Sequence, residues 1–80
     1  MTYRRLRMNL ELLRGAIDER AQRGDPPMSI ADAVEFLGSV AVSVEDAAYV
    51  IECGIVASVL VSTDGCVSSG PGRVQGGERR

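Results

Sequence analysis

A chain of 80 residues lies at the lower edge of what buries a single hydrophobic core unaided, so one small domain is expected. Hydrophobic residues make up 45% of it, which excludes a fully disordered chain. The net charge is −2, histidine is absent and every basic residue is arginine, so the usual general base of enzymes is missing.

The first predicted element is a helix over residues 3–23. Leu6, Leu10, Leu13, Ile17 and Ala21 recur at spacings of four and three, which lines them on one face as core or as a dimer seam. Gly15 inside it costs about 1 kcal/mol against alanine. Gly24 followed by Asp25-Pro26-Pro27 stops the helix. Ser29 then caps a second helix, with Asp32 completing a variant capping box, and Gly38 is expected as its C-cap. Its buried stripe is read as Ile30, Ala33, Val34 and Leu37. Val40, Val42 and Val44 alternate with small residues, which fits a short strand or an extended connection.

Ser43 and Asp46 repeat the cap, opening a third helix over residues 43–54. Val44, Ala47, Ala48, Ile51 and Ile55 are its expected apolar face. Residues 58–63 and 66–69 read as strands. Asp64-Gly65 joins them as a two-residue hairpin turn, because both central positions need positive φ. From Gly70 onward the chain is Gly-rich without apolar periodicity. The expected division is therefore a domain over 1–69 and a disordered Gly/Arg tail over 70–80.

The order of these elements resembles a winged helix-turn-helix domain. The likeness is sharpest at Val50-Ile51-Glu52-Cys53-Gly54-Ile55-Val56 followed by the Asp64-Gly65 turn. It implies a small α+β, winged-helix-like fold of three helices followed by a β-hairpin. In that family the third helix enters the DNA major groove and the wing touches the backbone, with affinity supplied largely by Arg and Lys. The sequence departs from this pattern: no basic residue lies between Arg23 and Arg73. The third helix instead carries Glu45, Asp46 and Glu52, and the wing tip carries Asp64. Phosphates would be repelled there, so groove insertion of the third helix is not expected.

Charge is segregated along the chain. Residues 1–24 hold six arginines against three acids, and residues 25–72 hold seven acids and no base. Asp32, Glu45 and Asp46 suit the first turns of helices, where the dipole favours acids, but that does not account for the absence of bases. Two readings follow. In the first, an acidic surface of Glu45, Asp46, Tyr49, Glu52 and Asp64 binds a basic partner protein, with Tyr49 as the expected anchor. Such short, acidic chains resemble the regulators and inhibitors encoded by phages and mobile elements. In the alternative, Arg4, Arg5, Arg7 and Arg14 on the first helix form the footprint of a DNA-binding regulator, aided by the arginines of the tail.

Enzymatic chemistry has no foothold in the sequence. Cys53 follows Glu52 and has no basic neighbour in sequence to activate it as a nucleophile, and Cys66 sits in the hairpin. Two cysteines are too few for a zinc site or a disulfide framework, so no metal and no cofactor are expected. Nothing resembles a secretory leader, and the cytoplasm is the expected compartment. The apolar run over residues 47–61 is short for a bilayer and contains Glu52, so no membrane partner is expected. With only Tyr3, Phe36 and Tyr49 as aromatics, the core must be aliphatic. A core of that size gains from a second copy, and a homodimer is expected.

Overall fold

A computed structural model describes residues 1–72. In chain order it contains α1 (Tyr3–Arg23), β1 (Met28–Ser29), α2 (Ile30–Ser39), α3 (Val44–Val56), β2 (Leu60–Thr63) and β3 (Cys66–Ser69). This is a small α+β domain of three helices followed by an antiparallel hairpin, as the sequence predicts. No helix among the described residues is long and apolar enough to cross a membrane.

Each helix begins on a hydroxyl. The backbone N–H groups of Arg5, Asp32 and Asp46 donate to the side-chain oxygens of Thr2, Ser29 and Ser43. Each satisfied donor of this kind stabilises a helix by about 1 kcal/mol. The helices also share one way of ending. Asp25 N–H reaches back to Arg20 O, Val42 N–H to Leu37 O and Val59 N–H to Gly54 O. A residue in the left-handed region precedes each donor: Gly24, Ala41 and Ser58, with φ of 76°, 69° and 63°. This is the Schellman closure, which satisfies carbonyls that a helix end leaves open.

Two sequence expectations are corrected here. Gly38 does not cap α2, because the helix runs on to Ser39 and Ala41 takes the left-handed position. Residues 40–43 are accordingly a tight turn with no strand, and buried Val42 closes it against the core. Alanine at positive φ is strained by roughly 1–2 kcal/mol, and glycine is not. Ala41→Gly should therefore raise stability by about 0.5–1 kcal/mol after its greater unfolded-state entropy is deducted. A rise in the urea midpoint at constant slope would show it, and a fall would mean the turn is not strained.

The core is aliphatic, as expected from the scarcity of rings. Leu13, Leu37, Val50, Val59, Leu60 and Val67 are its largest fully buried side chains. From α1, Leu10, Leu13 and Ile17 point into it, so these residues form core and not a dimer seam, with Leu6 half-buried beside them. Ala21 is exposed, as is Ile30 of α2. On α3 the buried stripe is Ala47, Val50, Ile51 and Gly54. The expected face is thus rotated: Val44, Ala48 and Ile55 are exposed. Gly54 explains the choice of stripe. A Cβ there would stand 2.7 Å from Leu60 Cδ1 and 2.8 Å from Leu10 Cδ2, so a larger residue would push these two core leucines out of their present packing.

The sheet has the order β1-β3-β2, antiparallel throughout. Leu60 pairs with Ser69 and Thr63 with Cys66 across a turn in which Asp64 and Gly65 both have positive φ. The second strand starts two residues later than its sequence pattern suggests, because Ser58 is spent on closing α3. β1 carries no pattern of its own. It exists because β3 offers a free edge, on which Met28 pairs with Val67 and buries its side chain.

The chain does not leave the domain at residue 69. Gly70 N–H donates to Val59 O and Gly72 N–H to Ser58 O, and Gly70 is buried. The first part of the expected tail is therefore a strap laid over the end of α3. Residues 73–80, with Arg73, Arg79 and Arg80, lie outside the described residues.

Candidate functional site

The apolar residues of α3 that the core does not use define its outer surface. Glu45, Tyr49, Glu52 and Val56 follow one another at spacings of three and four, with Ala48 next to them on one side of the helix, and all are exposed. Val44 beside them is 70% exposed and Val56 81%. This side of α3 therefore interleaves apolar side chains with the carboxylates of Glu45 and Glu52, with Tyr49, 49% exposed, near its middle. Sequence reasoning assigned Val44 to the core and missed Val56. The helix is apolar nearly all the way round, so periodicity could not tell its inner face from its outer one.

Of the five residues expected to bind a partner, the structure places Glu45, Tyr49 and Glu52 together on this face. Asp46 lies half-buried in the first turn of α3, where its N–H meets the cap of Ser43 and its charge suits the helix N-terminus. Asp64 is elsewhere. It occupies the hairpin turn, which is tied to the start of α2 by the Ile30 N–H to Gly65 O hydrogen bond. Among the described residues, both salt bridges lie at the end of α1, between Arg23 and Glu19 and between Arg23 and Asp25. The carboxylates of α3 and of the turn have no such cationic partner there.

Tyr49 has a neighbour within its own helix. A hydrogen bond with the Cys53 side chain, one turn further on, holds the phenol above its ordinary pKa of 10.0. Cys53 and Cys66 are half-buried free thiols. Among the described residues no group of three or more His, Cys, Asp or Glu side chains could hold a metal ion.

The arginines of α1 divide into two sets. Arg14 grips the strap, donating from Nη1 to Gly72 O at 2.6 Å and from Nη2 to Gly70 O at 3.1 Å. Arg20 holds the next loop through Nε and Nη2 to Pro26 O. Arg4 and Arg5 are exposed on the first turn, and Arg7 is half-buried behind them. Of the four arginines in the DNA-binding alternative, Arg14 is thus engaged within the fold. No local signal announces that contact, because its acceptors lie more than fifty residues away in the chain.

An open groove of about 430 Å³ separates the end of α1 from α2, bordered by Glu19, Arg20, Arg23, Asp32, Glu35 and Phe36. Its mixed charges make it neither an anion nor a cation site. Comparison of the chain with protein-family models, with curated proteins and with solved structures finds no match in any of the three.

Proposed function

We propose that the chain is a non-enzymatic protein-binding module whose outer α3 face meets a basic partner. One observation carries this reading: one exposed side of α3 combines Tyr49 and Val56 with the carboxylates of Glu45 and Glu52, which have no ion pair among the described residues. Tyr49 and Val56 supply contact area, and an exposed aromatic side chain is a frequent anchor of binding hot spots. The carboxylates select for a basic surface and speed encounter with it. A regulator or inhibitor working by occupation of a nucleic-acid-binding or other basic surface fits this make-up, in the cytoplasm and without a cofactor.

The winged helix-turn-helix resemblance stays a proposal alongside it, supported by the helix order and the hairpin. Its DNA-binding version rests on Arg4, Arg5 and Arg7, exposed or half-exposed at the start of α1. Two titrations separate the readings. A fluorescein-labelled arginine-rich peptide should bind the chain at low salt, and Glu45→Lys/Glu52→Lys should weaken that binding at least tenfold without changing the circular dichroism. Mixed-sequence duplex DNA should not bind even at low salt. DNA binding that falls steeply with salt and disappears in Arg4→Ala/Arg5→Ala/Arg7→Ala would overturn the protein-binding reading.

A further inference from the structure

The face of α1 that points away from the core carries two exposed apolar side chains. Met8 is 49% exposed and Leu12 43%, and Gly15 has open space where a side chain would stand. Arg5, Met8, Leu12, Gly15 and Glu19 are spaced three and four apart, so they form one stripe along the 21-residue helix. Their order is symmetric in kind about Leu12. Arg5 lies seven residues before it and Glu19 seven after, while bulky Met8 is balanced by small Gly15 on the other side.

A second feature of the same helix points the same way. The first turn of α1 holds no acid but two exposed arginines, Arg4 and Arg5, at the positive end of the helix dipole. Neither has a carboxylate partner among the described residues. An antiparallel copy of α1 would bring Glu19 to them, in exchange for the long, exposed Glu19–Arg23 pair within each chain.

We propose that two copies of the chain associate through these outward α1 faces, antiparallel and crossing at Leu12. Arg5 then faces Glu19 of the partner subunit, and Met8 settles over Gly15 of the partner subunit. The pairing is isologous, so each contact occurs twice and the assembly closes at two. It leaves the outer face of α3 uninvolved and does not depend on what that face binds.

Sedimentation equilibrium over a broad concentration range tests this on the full chain. The mass should rise from the 8.5 kDa of one chain to twice that value. Leu12→Glu, which sets two carboxylates against each other, should abolish the rise. Arg5→Glu and Glu19→Arg should each weaken association at least fivefold, and the double exchange should restore it. All these side chains are exposed, and circular dichroism should confirm that the variants fold. A mass that stays at one chain throughout would overturn the proposal, as would a dimer insensitive to Leu12→Glu or a double exchange that fails to restore it.

Discussion

Replacing Leu13 by alanine should remove a large share of the stability of the domain. Leu13 is fully buried at the centre of α1, and removing such a side chain costs about 2–5 kcal/mol. A domain of this length has a total stability of roughly 4–12 kcal/mol, at 0.05–0.15 kcal/mol per residue. The melting temperature should fall by more than about 10 °C. Leu12→Ala is the internal control. One position along, it removes the same atoms from a half-exposed site and should shift stability by no more than about 0.5 kcal/mol. The comparison belongs at concentrations too low for association through α1. Equal losses at the two positions would show that α1 is docked through a different face.

Replacing Gly70 by alanine should lower stability by about 2–3 kcal/mol. A Cβ at this position would stand in contact with the Ser58 carbonyl oxygen, which is backbone and cannot swing aside. The strap must lift, and the Gly70 N–H to Val59 O bond goes with it. Arg14→Leu attacks the strap from the other side by removing two charge-assisted hydrogen bonds to its carbonyls. Arg14 is half-exposed and water replaces part of what it loses, so the two bonds together should cost about 2–3 kcal/mol, a similar loss. The two changes break one contact, and the double variant should fall short of their sum by at least about 1 kcal/mol. Chemical denaturation of the four proteins measures it. Strict additivity would mean that Arg14 does not hold the strap.

That contact also bears on function. Arg14 is held by Gly70 and Gly72, which leaves a DNA-binding surface on α1 with only the arginines of its first turns. The outer face of α3 keeps its carboxylates free of ion pairs with described residues.

The amino-acid sequence by itself determined the elements whose causes are local. Ser29 and Ser43 cap helices because a hydroxyl three residues from a free N–H needs no distant partner. Gly24 and Asp64-Gly65 mark turns because few residues accept positive φ there. The face of α1 was legible for the same reason, since only one of its sides is continuously apolar. Part of the candidate site was legible too: Glu45, Tyr49 and Glu52 share a helix face by spacing alone.

Only the tertiary structure decided the rest. α3 is apolar almost all round, and the close approach of Leu10 and Leu60 to Gly54 selected which stripe is buried, turning Val44 and Val56 outward. The capping role passed from Gly38 to Ala41 because burial of Val42 fixed where the turn closes. β1 and the Arg14 clasp on the strap join residues far apart in sequence. Contacts of that kind arise when packing brings two segments together, and neither segment carries a local signal of its partner.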